Sequence, residues 1–400
     1  MAIITKTNAL SSKKKVIEGL GRVKSVAHSY LALEDDNFID FSLAVVIANR
    51  FDGEPLFGGL IAPPASAKTE ILRAFDGHSC IQMLSNITPQ TLISGWSTKK
   101  GNQSLLPRIN GKVLVIKEFT TILHKRYEAR AEILAQFREM YDGRVTGSYG
   151  TGETVDWTGK VGILFAVTPV IDSHLPFMQA LGERFVYYRI YDENDAAIAD
   201  CALENALGES GHRKALRTAV HAFLNCFEAR IEPRVDVDEN VKAGLRALSI
   251  LTVKARTSIP RDRYNKSEIT LLPSPEHPAR IIKQLTLLGL GLSTIRGVDC
   301  IDAGVYDIVK KVAHDTIPPL RHRILSTVFE MYSEKNEWST IRDIEERSGI
   351  PSSTQRYHLE DLRMLGLLDS KRDGSNATSK LLYQPSDEMV EWVTASKAYA

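Results

Sequence analysis

The sequence predicts an α/β fold built on a parallel sheet, followed by a run of helices and a small C-terminal unit. Three observations carry that expectation. The apolar run Leu56 to Ile61 passes through a proline-containing loop into a helical pattern that opens near Lys68. Lys112 to Phe119 and Val161 to Val167 read as strands buried on both faces, and Val186 to Ile190 adds another. After Asp192 the pattern is wholly helical, over 195–207, 211–231, 238–254 and onward from Ala279.

The loop is the first element with chemistry in it. Ala62-Pro63-Pro64-Ala65-Ser66-Ala67-Lys68-Thr69 sits between a strand and a helix, the arrangement in which backbone N–H groups face a polyphosphate. In such a loop Lys68 reaches the β- and γ-phosphates and the Thr69 hydroxyl binds Mg²⁺, which makes ATP and Mg²⁺ the expected cofactors. The pattern for this loop is G-x-x-x-x-G-K-[ST], whereas Ala62 and Ala67 stand at its two glycine positions. A Cβ at either place crowds the phosphates.

Lys112-Val-Leu-Val-Ile-Lys117-Glu118 ends in a carboxylate at the edge of a parallel sheet where ligands bind. Glu118 is therefore the candidate to polarise an attacking water, with Lys117 where a second, Mg²⁺-holding acid is expected. The strand Val161 to Val167 ends in Thr168, whose hydroxyl is placed to sense a γ-phosphate. Further on, Leu181-Gly-Glu-Arg184-Phe185 sets Arg184 to project from the subunit surface.

In order and spacing these segments resemble the AAA+ ATPase core over about residues 35–192. The run Gly143 to Gly159 reads as a β-hairpin with its tip at Gly150 to Glu153. A hairpin before the sensor strand resembles the helicase-like branch, including minichromosome-maintenance helicases and replication proteins of phages and mobile elements. The resemblance implies a homo-oligomeric ring, a hexamer, in which Arg184 serves a neighbour's site. It also implies a helical lid, with Arg280 at the start of a lid helix as a second nucleotide sensor.

Composition bounds the rest. With 400 residues, 43% hydrophobic and 25% charged, the chain is globular and long enough for two or three domains. No apolar run approaches the roughly 18 residues of a membrane span and no signal-peptide core opens the sequence, so no membrane partner and a cytoplasmic location are expected. Cys80, Cys201, Cys226 and Cys300 lack C-x-x-C spacing, which argues against a zinc site or a disulfide framework. A net charge of +1 leaves nucleic-acid binding to local clusters, of which Lys13-Lys14-Lys15 and Lys99-Lys100 are two. Lys99 and Lys100, beside Trp96, suit a pore loop that tracks a single strand of DNA.

The division expected is an N-terminal extension over 1–34, polar and loosely attached, an α/β core over 35–192, a helical lid over 193–317 and a final unit over 318–400. Within that last part, helices over 320–332 and 341–348 precede a third that starts with a Ser352 cap and ends at Gly366. Two short strands follow, giving the winged form of the helix-turn-helix. Ser353, Thr354, Arg356 and Tyr357 are the expected groove contacts, with Lys371, Arg372 and Lys380 on phosphates. Glu360 and Asp361 on the same helix argue instead for protein docking.

Three functions follow: an ATP-driven DNA motor such as a helicase or replication initiator, a nucleotide-gated DNA-binding regulator, or a ring scaffold with weak hydrolysis. Ala62 and Lys117 support the last.

Overall fold

The structure, a computed structural model, describes residues 2–399 apart from 95, 96, 99, 100, 103, 149–153, 181, 192, 193, 234, 263, 266 and 375–378. Side chains are described from residue 13 onward, with those of 97, 98, 101, 102 and 180 also left aside. The chain forms two compact units, residues 1–236 with 287–308, and residues 237–286 with 309–400. The helical stretch after residue 193 is divided between them, 193–236 falling in the first and 237–286 in the second.

In the first unit a long helix α1 (Ala2–His28) precedes α2 (Asn37–Ala48), β1 (Phe57–Ile61), α3 (Lys68–Ala74) and β2 (Ile81–Leu84). A short helix α4 (Pro89–Leu92) and the strand pair β3 (Ser97–Thr98) and β4 (Gly101–Asn102) lead to β5 (Val113–Ile116), α5 (Thr120–Leu123) and α6 (Tyr127–Tyr141). The antiparallel pair β6 (Arg144–Ser148) and β7 (Thr154–Thr158) comes before β8 (Gly162–Val167), α7 (Leu175–Ala180), β9 (Phe185–Arg189), α8 (Asp195–Glu204) and α9 (Glu209–Leu224). The hairpin expected from Gly143 to Gly159 is thus present in its strands, while its tip lies outside the described residues.

Five strands form one parallel sheet in the order β2-β5-β8-β1-β9. Their side chains are apolar on both faces because helices cover both. On one face Phe119 stacks on Phe165 at 4.1 Å and Phe185 meets Phe165 edge-on at 5.1 Å. On the other, α2 lies so close that a Cβ on Gly58 would come within 2.8 Å of Val45 and 2.9 Å of Phe41. The adjacent Gly59 faces Phe165 and Tyr187, where a Cβ would sit 2.6 and 3.0 Å from ring atoms. Strand β1 has glycine at both positions because Val45 and Phe41 on one face and Phe165 and Tyr187 on the other occupy the space. Asn49 then ties α2 to β1, donating to Val45 O and Leu56 O and accepting from Leu56 N.

The amino-terminal segment is a correction to the sequence reading. Instead of a loose extension it is a helix whose buried face is Val16, Leu20, Val23 and Ala27, spaced by three and four residues. Gly19 lets it approach α9, where a Cβ would lie 3.0 Å from Phe223. Lys24 and Arg296 both pair with the fully buried Asp40 of α2, at 2.8 and 2.5 Å. That pairing offsets the cost of burying the carboxylate.

The second unit begins with α10 (Glu239–Arg256) and includes the first part of α11 (Ala279–Arg296) and the last of α12 (Ala303–Asp315). Then come α13 (Pro319–Lys335), β10 (Ser339–Thr340), α14 (Ile341–Ser348), α15 (Ser352–Met364), β11 (Leu368–Arg372), β12 (Leu381–Pro385) and α16 (Asp387–Ser396). The strands pair antiparallel in the order β10-β12-β11. Gly349 and Gly366, at φ of 72° and 68°, end α14 and follow α15 as left-handed residues. The cap of α15 is Pro351, whose side chain makes no cap bond, and Ser352 is the first helical residue rather than the cap.

Replacing Gly59 by valine is expected to destabilise the chain by about 1–3 kcal/mol through overpacking against Phe165 and Tyr187. Thermal unfolding of the full chain followed by circular dichroism checks this, and an unchanged melting temperature contradicts the packing described.

Candidate functional site

Parallel pairing brings three loops to one edge of the sheet. β1 runs in register with β8, Ile61 opposite Val167, and Ala62 N continues the ladder to Val167 O at 3.2 Å. β5 lies on the other side of β8, and Phe119 N reaches Ala166 O at 2.8 Å. The segments after β1, β5 and β8 therefore emerge together at the carboxyl ends of their strands, where open α/β sheets bind ligands. A cavity of about 350 Å³ opens there, lined by Pro64, Ala65, Lys68, Thr69, Glu118, Thr120, Thr121, His124 and Thr168. The loop lysine and threonine, the strand-end glutamate and the sensor threonine expected from the sequence thus meet in one place.

Lys68 is 2% exposed and folds back on its own loop, donating to Pro63 O at 2.5 Å and Ser66 Oγ at 3.2 Å. Burial holds its pKa below the usual lysine range, while the Glu118 carboxylate acts in the opposite direction. A buried ammonium whose hydrogen bonds go to neutral oxygens is stabilised by an arriving anion. Glu118 accepts from Thr120 N at 3.3 Å, and the Thr120 and Thr168 hydroxyls lie 3.5 Å apart. These contacts hold the carboxylate and both hydroxyls on the side of Lys68. Lys117 is not among the residues lining this space.

A larger cleft of about 590 Å³ shares Pro64, Ala65 and Thr69 with the first and extends away from Glu118. One wall is Tyr30, Leu31 and Ala32; another is Ile198, Cys201, Ala202 and Asn205 of α8 and its end; Arg73 and Arg213 complete it with Glu70 between them. Arg73 lies 2.6 Å and Arg213 2.8 Å from the Glu70 carboxylate, and Arg213 also pairs with Glu209 at 2.7 Å. Tyr30, stacked on His212 at 5.1 Å, has a buried hydroxyl without a hydrogen-bond partner. Burial, with Glu70 next, raises its phenol well above the ordinary range. An unpaired buried hydroxyl on a cleft wall is a group that a ligand can satisfy.

Sequence reasoning missed Tyr30, Glu70 and Arg213. The signal available was the helical spacing of Val16, Leu20, Val23 and Ala27, which puts Tyr30 at the end of a packed helix. For Arg213 there was none, because only tertiary packing brings α9 to α3.

The loop itself departs from expectation in an informative way. Ala62 is 1% exposed and lines neither cavity, so its methyl belongs to the core and does not crowd the site. Ala67 has an ordinary helical φ of −60°. The residue whose backbone favours glycine is Ala65, at φ 62° in the left-handed region.

Arg184 corrects the sequence reading outright. It is 8% exposed instead of projecting outward, donating to Gly182 O at 2.5 Å and pairing with Asp142 at 3.4 Å, with its guanidinium 5.7 Å from the Tyr141 ring. Its position between Gly182 and β9 turns it inward, toward the end of α6. Arg280 belongs to the second unit and pairs with Glu276 at 2.8 Å. Lys99 and Lys100, and Trp96 beside them, fall outside the described residues, as does Tyr149 of the hairpin.

In the second unit α15 presents Ser353, Arg356 and Arg363 on an exposed face, with Thr354 and Tyr357 half-buried beside it. Lys371, Arg372 and Lys380 are exposed on the β11–β12 hairpin, with Lys371 Nζ 4.3 Å from the Trp338 ring and Arg372 donating to Ser379 O at 3.1 Å. The acids that counted against this helix are neutralised. Arg261 lies 3.0 Å from Glu360 and 2.6 Å from Asp361, and Arg321 lies 2.7 Å from Asp361. Burial works against the charge on Arg261, but the Asp361 and Glu360 carboxylates outweigh it and its pKa is raised; for the more buried Arg321, burial prevails and its pKa is lowered.

No protein-family model matches this chain, and no curated protein matches it either. No helix among the described residues is long and apolar enough to cross a membrane.

An Ala65→Gly substitution is expected to relieve about 1 kcal/mol of left-handed strain. Calorimetry is expected to show a rise of roughly 2–4 °C in the melting of the first unit.

Proposed function

We propose that the chain is a nucleotide-driven ATPase of the AAA+ type that acts on DNA, as a helicase or replication-initiation motor. One observation carries the reading: Lys68, Thr69, Glu118 and Thr168, from three separate strand ends, line one cavity at the carboxyl edge of a parallel sheet. The strand order β2-β5-β8-β1-β9 supports it by setting the ends of β1 and β5 on either side of β8, and so does a hairpin placed before β8. In the second unit the succession helix, strand, helix, helix and hairpin is that of a winged helix, and the neutralised Glu360 and Asp361 favour a DNA-facing α15 over a protein-docking one.

The residues present fit MgATP. Lys68 takes the β- and γ-phosphates, the larger cleft takes the nucleoside beside Tyr30, and Thr69 offers the hard oxygen that Mg²⁺ prefers. Among the described residues no group of three or more acidic, His or Cys side chains gathers for a metal, and the Thr69 hydroxyl is the residue that would hold Mg²⁺. Bound Mg²⁺ would neutralise charge on the phosphates. Glu118 orients and deprotonates the attacking water, Thr168 holds the γ-phosphate, and Lys68 stabilises the charge that spreads over it. The active form is a ring, a hexamer, in which a neighbour supplies a cation other than Arg184, since Arg184 is committed to Asp142. A second reading, a hydrolysis-weak scaffold, is favoured by Ala65 at positive φ and by Lys117 in place of a second acid.

ATP with Mg²⁺ at 100 times its Kd is expected to stabilise the chain by about 2.7 kcal/mol. The shift should vanish in Lys68→Ala and persist in Glu118→Gln, which is expected to release phosphate about 10²–10⁴-fold more slowly. Absence of any nucleotide-dependent shift in the unmodified chain contradicts the proposal, and binding without phosphate release selects the scaffold. For DNA, a Lys371→Ala, Arg372→Ala double variant should reduce the slope of log K against log salt by about 2 in fluorescence anisotropy titrations with a duplex.

A further inference from the structure

A second constellation of chemical groups lies at the start of β2, which the ATPase reading does not use. Arg50, just after α2, is 8% exposed. Its Nη1 donates to the carbonyls of Leu224, Phe227 and Glu228 at 3.0–3.1 Å, and its Nε has no partner. Its Nη2 points at Cys80 Sγ, 3.3 Å away. Among its hydrogen-bond partners, three carbonyls and the Cys80 sulfur, the sulfur is the one that can become a counter-anion. Charges buried in proteins are ordinarily paired, and this cation faces a thiol.

The thiol also has a base. His78 Nδ1 lies 3.1 Å from Cys80 Sγ and accepts from Cys80 N at 3.2 Å, so its lone pair is shared between the backbone N–H and the thiol. On the far side of the ring, His78 Nε2 meets Asn225 Oδ1 at 3.1 Å. An amide oxygen only accepts, so the ring proton sits on Nε2 and the Nδ1 lone pair faces the cysteine. Burial, and then Arg50 and His221, keep the His78 pKa below its usual value against the pull of Asn225, leaving the imidazole neutral and able to take a proton. Orienting group, base, sulfur and cation thus follow one another in successive contacts, the arrangement that activates cysteine nucleophiles.

We propose that Cys80 is a reactive thiol, a modification site for small hydroperoxides and soft electrophiles, activated by His78 and Arg50. With a hydroperoxide, His78 Nδ1 takes the S–H proton while the sulfur attacks the terminal peroxide oxygen. The S–O bond forms as the O–O bond breaks, and the departing alkoxide or hydroxide takes the proton back from His78. The sulfur is oxidised to a sulfenic acid and the peroxide is reduced to an alcohol or water, and Arg50 remains beside the sulfenic acid.

Competition within one molecule tests this. Cys226 and Cys300 are exposed, whereas Cys80 is only half-buried, so access alone predicts that Cys80 reacts more slowly. The full chain is treated at pH 7 with sub-stoichiometric iodoacetamide, and separately with hydrogen peroxide followed by a sulfenic-acid trap, and each cysteine peptide is quantified by mass spectrometry. Cys80 is expected to react at least ten times faster than Cys226 and Cys300. Asn225→Ala, which frees the imidazole, should lower the Cys80 rate at least five-fold while leaving the Cys226 and Cys300 rates unchanged, which also reports that the fold is intact. Labelling of Cys80 at or below the rate of Cys226 in the unmodified chain overturns the proposal.

Discussion

The in-register pairing of β1 with β8 is the constraint on which the rest of the first unit depends. It fixes Ala62 beside Val167, and so the loop over 62–69 beside Thr168. β5, held on the other flank of β8, then delivers Glu118 to the same edge. A slip of one residue in that ladder would turn the side chains of β1 to the opposite face and carry the loop over 62–69 out of step with Thr168. The register is held by what Gly58 and Gly59 leave out, because the space a side chain would need is already filled by Phe41, Val45, Phe165 and Tyr187.

How much of this was legible in the sequence follows from which forces are local. The strands over 113–116 and 162–167 were readable because burial on both faces leaves unbroken apolar runs, and Lys68, Thr69, Glu118 and Thr168 were readable because each ends or follows such a run. The helices over 341–348 and 352–364 were readable for a similar reason, since Gly349, Pro351 and Gly366 are punctuation that acts through the backbone alone. The direction of Arg184 was not. Its spacing before β9 fits an outward side chain as well as an inward one, and only the end of α6, with Asp142, turns it inward. Ala65 was likewise silent, because a left-handed alanine leaves no trace in composition.

Charge in the second unit illustrates the same limit. Glu360 and Asp361 look unsuited to a polyanion when read along the helix, yet the cations that neutralise them come from residues 261 and 321. Sequence distance conceals that match. Once Asp361 is buried between two guanidiniums, its charge no longer reaches the face occupied by Ser353, Arg356 and Arg363.

The helix α1 has a practical bearing on how the protein is handled. It carries the chain into Tyr30, Leu31 and Ala32, which form a side of the larger cleft, and its Lys24 is one of two cations on the buried Asp40. An expression fragment trimmed to begin at residue 35, as its lysine-rich composition invites, would lose that wall, uncover Phe223 and leave Asp40 with Arg296 alone. Affinities measured on such a fragment would describe a different binding surface from the one the whole polypeptide presents.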